Sequence, residues 1–154
     1  MTVEKRRRGF AAIALHNCKD PENVGGVLRA AGCFGADLVV VAGERRKRAM
    51  SGYVTDTQKA WKHIPTLVPD DAMSTIPVGA VTVAVDLVEG ASDLSGFHHP
   101  ESAYYIFGPE DGTLPPEIVS KCTYKVMIPC RVCLNLAAAV NVVLYDRQSK
   151  SGRA

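Results

Sequence analysis

Five short, almost unbroken apolar runs set the tightest limit on what this chain can become: FAAIAL (10–15), ADLVVVA (36–42), AVTVAVDL (80–87), AYYIFG (103–108) and YKVMIP (124–129). They are rich in β-branched and aromatic residues and do not alternate with polar ones, the pattern of strands covered on both faces. Between them lie stretches of helical character: NVGGVLRAAGCFG (23–35), VTDTQKAWKH (54–63), PPEIVSKC (115–122) and LNLAAAVNVVLYDRQS (134–149). Strand alternating with helix predicts an α/β fold with a mostly parallel sheet flanked by helices. Each apolar run ends in a polar or Gly/Pro-rich turn, namely HNCKDPEN, GERRKR, DLVEG, GPEDG and PCRVC. In an open parallel sheet those turns share the carboxyl edge, where ligands bind.

With 154 residues, 47% hydrophobic and 22% charged, the chain has the size and balance of one globular domain. No repeat or low-complexity linker divides it. No apolar stretch approaches the roughly 20 residues of a membrane helix, and the run from Phe10 to Leu15 is too short for a secretory leader. Five cysteines, an odd number in a chain large enough to need no cross-links, fit a reducing compartment. The expectation is a cytoplasmic protein with no membrane attachment.

Charge is uneven. Residues 1–62 hold 12 Lys and Arg against 6 Asp and Glu, and residues 63–154 hold 6 against 10. The densest clusters are KRRR (5–8), in a basic tail over residues 1–9, and Arg45, Arg46, Lys47 and Arg48 after the second run. Such clusters suit a phosphate backbone, although a solvated tail and loop would have the same composition.

Three turns carry candidate chemistry. In DPENVGGVLRAAGCFGADLVVV, Val24, Val27, Leu28 and Ala31 share a helical stripe, Asn23 sits where an N-cap would be, and Arg29 lies about 140° from Val24. Gly25 and Gly26 in a first helical turn lower helix propensity, which points to a close approach by another backbone or a ligand. In YYIFGPEDGTLPPEIV a strand runs into Gly108 and Glu110, either a surface turn or a backbone cradle with Glu110 as hydrogen-bond acceptor. In IPCRVCLN, Cys130 and Cys133 form a C-x-x-C. A zinc site needs two further ligands with no spaced partner in the chain, and a redox pair belongs near the start of its domain. Packing of Cys130 as a small buried hydrophobe is the favoured reading, and no metal is expected.

Together and in this order, the three stretches resemble motifs 1, 2 and 3 of the SpoU/TrmH branch of the SPOUT RNA methyltransferases, over residues of about 10 to 148. Asn23 and Arg29 before FGA match motif 1, and Gly108 and Glu110 in IFGPEDG match motif 2. Ile128-Pro129, Cys133-Leu134-Asn135 and Leu144-Tyr145-Asp146 match motif 3. Cys133 stands where the family has serine, and the loop before it is shorter than usual. The resemblance implies a C-terminal deep trefoil knot, a homodimer formed through the first and last helices, and S-adenosylmethionine as cofactor. It also implies methyl transfer to a ribose 2′-hydroxyl of RNA, with tRNA slightly favoured over rRNA; a catalytically inactive RNA-binding relative is the alternative. Arg29, Asn23, Glu110 and Asn135 carry over as catalytic residues, and Val85, Gly108, Ile128, Cys133 and Leu134 as cofactor contacts. Arg45 to Arg48 join Arg29 as RNA contacts. The whole chain, residues 1–154, would be one methyltransferase domain with no separate RNA-binding domain.

Overall fold

Every residue from Ala11 to Leu15 is buried, as an apolar run without alternation requires, and the run forms the inner strand β1 (Phe10–His16) of a seven-stranded sheet. The structure is a computed structural model that describes residues 9–51 and 62–151. The other four apolar runs form β2 (Leu38–Ala42), β4 (Val81–Val85), β6 (Ser102–Phe107) and β7 (Tyr124–Met127). Two edge pieces complete the sheet, β3 (Thr66–Leu67) and β5 (Ser92–Asp93). At two residues each they carry no apolar pattern from which a sequence could predict them.

The strand order is β3-β2-β1-β6-β4-β7-β5, and every neighbouring pair is parallel. Strand β6 enters between β1 and β4, and β7 enters between β4 and β5, so late strands fill places left by earlier ones. This order sets the carboxyl ends of β1, β6, β4 and β7 side by side, and with them the turns that hold the candidate chemistry.

Helices α1 (Pro21–Phe34) and α4 (Leu136–Lys150) cover one face. Val24, Val27, Leu28 and Ala31 of α1 are fully buried with Val140, Val143 and Leu144 of α4, over Ile13, Leu15, Tyr105 and Phe107. A Cβ on Gly26 would lie 2.7 Å from the Cβ of Ala137, so the close approach that the glycines predict is the crossing of α1 with α4. The opposite face is covered by Leu114, Ala72, Cys122 and the short helix α3 (Pro116–Val119) over Ala12, Ala14, Tyr104 and Ile106.

Several boundaries differ from the sequence reading. Asn23 is not an N-cap: α1 begins at Pro21, whose fixed φ suits a first helical position, with Asp20 before it in extended conformation. The helix expected over 115–122 is only four residues long, because Thr123 donates its N–H to Thr82 O and draws the chain into β7. The turn GERRKR contains a helical turn, α2 (Arg46–Ala49). The helix expected over 54–63 falls almost wholly in 52–61, outside the described residues, as does the KRRR tail.

The far end of α4 is fastened at the amino edge of the sheet. Buried Arg147 donates to the carbonyls of Pro100 (2.6 Å) and Glu101 (2.7 Å) and to the Tyr105 hydroxyl (3.2 Å). His99 lies between the Tyr105 hydroxyl and the Asp146 carboxylate, 2.7 Å from each. Burial pushes the His99 imidazole below its ordinary pKa, against the opposing pull of Asp146. No described helix is long and apolar enough to cross a membrane.

Candidate active site

Glu110, just beyond β6, accepts four hydrogen bonds from the start of α1 and the turn before it. The donors are Lys19 N (2.8 Å), Asp20 N (3.2 Å), Asn23 Nδ2 (2.7 Å) and Cys18 Sγ (3.1 Å). Burial alone would raise the Glu110 pKa; the donors, Lys19 N–H and the Asn23 amide foremost, outweigh it and hold the carboxyl below its ordinary range. The same contact, with burial as the larger cause, pushes the Cys18 thiol far above its ordinary range, so Cys18 is a neutral donor and not a nucleophile.

Asn23 is buried and links onward, its Oδ1 accepting Asn135 Nδ2 at 2.8 Å. Asn135 in turn caps α4, its Oδ1 accepting Ala138 N at 3.2 Å. One chain of side-chain bonds, Glu110 to Asn23 to Asn135, therefore joins the exit of β6, the start of α1 and the start of α4.

These three segments and the exit of β4 enclose a cavity of about 480 Å³. Its wall includes Val85, Gly108, Ile128, Cys133 and Leu134 beside Asn23, Glu110 and Asn135. Thus the five residues expected to contact cofactor and three of the four expected to be catalytic meet at one cavity. Arg29 does not line it; it lies on the exposed side of α1, off the buried stripe.

The basic cluster behaves differently from a solvated RNA-facing loop. Arg45 donates to both carboxylate oxygens of Asp111 (2.8 and 2.9 Å) and to Asn17 O (2.6 Å), and Arg46 pairs with Asp70. Arg45 holds the Asp111 carboxyl down to about 2. Two of the four cations are therefore tied into loop structure, and Lys47 and Arg48 remain exposed. Asn17 adopts a left-handed φ of 56°, and a Cβ on Gly43 would meet its Cα at 2.8 Å, so the exits of β1 and β2 are packed together here.

The packing role expected of Cys130 is overturned. Cys130 and Cys133 are both exposed, and both line the cavity, because they stand in the loop between β7 and α4, every residue of which from Cys130 to Asn135 is exposed. Among the described residues, no three His, Cys, Asp or Glu side chains gather in a form that could hold a metal ion. Sequence reasoning missed two residues of the site. Cys18 lies in the turn HNCKDPEN and Asp86 in DLVEG, turns marked by position alone, and their partners are distant in the chain.

The chain as a whole is similar to known proteins. Residues 11–145 match the model of the SpoU rRNA Methylase family. An uncharacterized tRNA/rRNA methyltransferase of Archaeoglobus fulgidus is 31% identical over 144 residues, 89% of this chain and 63% of its own. A protein of Staphylococcus epidermidis assigned to the TrmH family of tRNA/rRNA methyltransferases is 25% identical over 150 residues, 93% of this chain and 60% of its own. The chain thus spans about three fifths of the length of these curated relatives. Among solved structures, an AdoMet-bound rRNA methyltransferase from Sinorhizobium meliloti superposes with a TM-score of 0.79 at 24% identity, covering 93% of this chain and 57% of that one. A structure concerned with the 2-OH methylation of C/U34 on tRNA superposes with a TM-score of 0.72 at 26% identity, covering 94% of this chain and 99% of that one.

Proposed function

The chain belongs to the SpoU rRNA methylase family and has its knotted α/β fold, and from that premise we propose that it transfers the methyl group of S-adenosylmethionine to a ribose 2′-hydroxyl of RNA. The observation that carries the proposal is the cavity bounded by Asn23, Glu110 and Asn135, one residue from each of the three motifs, joined by side-chain hydrogen bonds.

The cavity suits that cofactor. Its volume lies within the roughly 300–1,000 Å³ of small-molecule sites. Val85, Leu87, Phe107, Ile128, Leu134 and Leu136 give it apolar walls, and its charged lining consists of carboxylates, with no Lys, Arg or His. That combination fits a ligand with a flat base and positive charge. When bound, S-adenosylmethionine supplies a methyl group on an electron-poor sulfonium.

The protein's part is to bind, orient and manage a proton. A ribose hydroxyl is a weak nucleophile, so it must be held in line and its proton must be accommodated. Arg29 is assigned to that task. It acts by fixing the hydroxyl and the adjacent phosphate, through the planar fork of donors that a guanidinium presents. Glu110, Asn23 and Asn135 hold the loops that form the cofactor cavity.

A homodimer completes this reading. Val142 and Tyr145 of α4 are 38% and 60% exposed, and the Tyr145 ring meets Phe34 of α1 edge-on at 6.3 Å. An exposed apolar face made by α1 and α4 supports pairing through these helices. Arg29, exposed on α1 and absent from the lining of its own cavity, supports a site that draws on both copies. Lys47 and Arg48 then serve as phosphate contacts, with Arg45 and Arg46 mainly shaping the loop. As substrate, tRNA is favoured over rRNA, since the tRNA-related structure is matched over nearly its full length.

The test is transfer of labelled methyl groups to bulk tRNA and, separately, to rRNA, with the product located as alkali-resistant linkages. Arg29→Ala is expected to lower transfer by about 10²–10⁴-fold with cofactor affinity nearly intact. Cofactor binding with no transfer to either RNA would favour the catalytically inactive RNA-binding alternative.

A further inference from the structure

The cavity is anionic, with Asp20, Asp86 and Glu110 in its wall and no cationic side chain. The three charges are not equivalent. Glu110 already accepts four donors, so its oxygens are committed to holding the loops. Asp20 is exposed, where water and salt screen it. Asp86, half-buried at the exit of β4, accepts one backbone N–H on each oxygen: Leu87 N on Oδ1 at 2.8 Å and Leu114 N on Oδ2 at 2.7 Å. A carboxylate offers about four acceptor positions, so each oxygen keeps one.

Asp86 is also fixed in place. A Cβ on Gly108 would lie 2.6 Å from Asp86 Oδ2, so glycine at that position lets the carboxylate cross the end of β6 and reach Leu114 N. The result is a rigid, partly desolvated negative charge on the cavity wall with acceptor capacity left for a ligand.

We propose that Asp86 is a specificity-determining residue by which the cavity prefers a cationic methyl donor to its neutral thioether product. The inference rests on reading the cavity as the S-adenosylmethionine site. Methyl transfer breaks the sulfur–methyl bond, the sulfur keeps the electron pair, and the sulfonium becomes a neutral thioether. The carboxylate that favours the donor therefore loses its hold once the reaction is over, which favours release of the product.

Calorimetric titration of wild type and Asp86→Asn with three ligands tests this. They are S-adenosylmethionine, sinefungin, which carries an amine in place of the sulfonium, and S-adenosylhomocysteine. Asparagine keeps the shape and one acceptor while removing the charge. The expected result is a fall of about tenfold in the preference for both cationic ligands over S-adenosylhomocysteine, whose own affinity changes by less than about twofold. Equal weakening of all three ligands would reduce Asp86 to a structural clamp and overturn the proposal, as would no change. Should Asp86→Asn fail to fold, wild type decides: its preference for the cations must shrink between about 0.05 M and 0.5 M salt, and constancy overturns the proposal. A wild-type protein that binds none of the ligands would remove the cofactor reading itself, and the Asp86 inference with it.

Discussion

Asn135 Nδ2 donates to Asn23 Oδ1 at 2.8 Å across 112 residues of sequence, joining the start of the last helix to the first turn of the first. Asn23 is buried, and its other side-chain bond runs to Glu110. The link is thus the meeting point of all three motif stretches and of the cavity they enclose.

Asn135→Ala removes a helix cap, which costs about 1 kcal/mol, and leaves the buried Asn23 oxygen without a partner, about 1–3 kcal/mol more. A loss of roughly 2–4 kcal/mol is expected in urea unfolding, together with weakened cofactor binding. Asn135→Ser restores a capping oxygen but cannot reach Asn23. It should recover part of the stability and little of the binding; full recovery of both would show that the link to Asn23 contributes nothing.

Gly26→Val places side-chain atoms where Ala137 Cβ lies 2.7 Å from the site of a first Cβ. Both residues are on helices, so relief requires α1 and α4 to move apart, and overpacking of this kind costs about 1–3 kcal/mol. Thermal unfolding should shift down by several degrees. Gly96→Ala is the control, since nothing lies within 4 Å of its added Cβ. Equal melting points for the two variants would contradict the close crossing.

The His99 cluster sets a pH dependence. Its folded-state pKa is lowered, chiefly by burial, so the stabilisation is fully present above the unfolded value of about 6.5 and is lost as pH falls through that value toward the folded one. His16, also lowered by burial, contributes with the same sign. Melting temperature should therefore decline from pH 8 to pH 5, and His99→Gln, though less stable at pH 8, should show a shallower decline. An unchanged slope would show that His99 is not held neutral.

The sheet was legible because strands buried on both faces need continuous apolar runs, and all five runs became strands. The stripe of α1 was legible for the same reason in helical period. Asn23 resembles a cap by residue type alone, whereas the Asp20-Pro21 pair before it is the stronger start signal and is where α1 begins. The two-residue strands had too few residues to form a pattern. Asp86 and Cys18 act through partners 28 and 92 residues away, and such pairings exist only once the strand order is known. The basic cluster read as a free surface because its acidic partners, Asp70 and Asp111, stand in other loops.

The C-x-x-C pair gives the clearest contrast between pattern and place. A cysteine before an apolar helix reads as packing, yet Cys130 and Cys133 are exposed at the cavity, whereas Cys18 and Cys122 are buried. Rapid reaction of native protein with a thiol reagent should therefore involve Cys33, Cys130 and Cys133 and leave Cys18 and Cys122 unmodified until unfolding. Saturating S-adenosylhomocysteine should slow the two cavity thiols and not Cys33, which lies on α1 away from the cavity lining. Cys133→Ser should keep cofactor affinity and methyl transfer within about threefold, because a hydroxyl is at least as good a hydrogen-bond donor as a thiol. Elemental analysis should find no stoichiometric zinc. Protection of Cys33 alone would move the ligand site elsewhere, and one zinc per chain with loss of thiol reactivity would make the pair a metal clip after all.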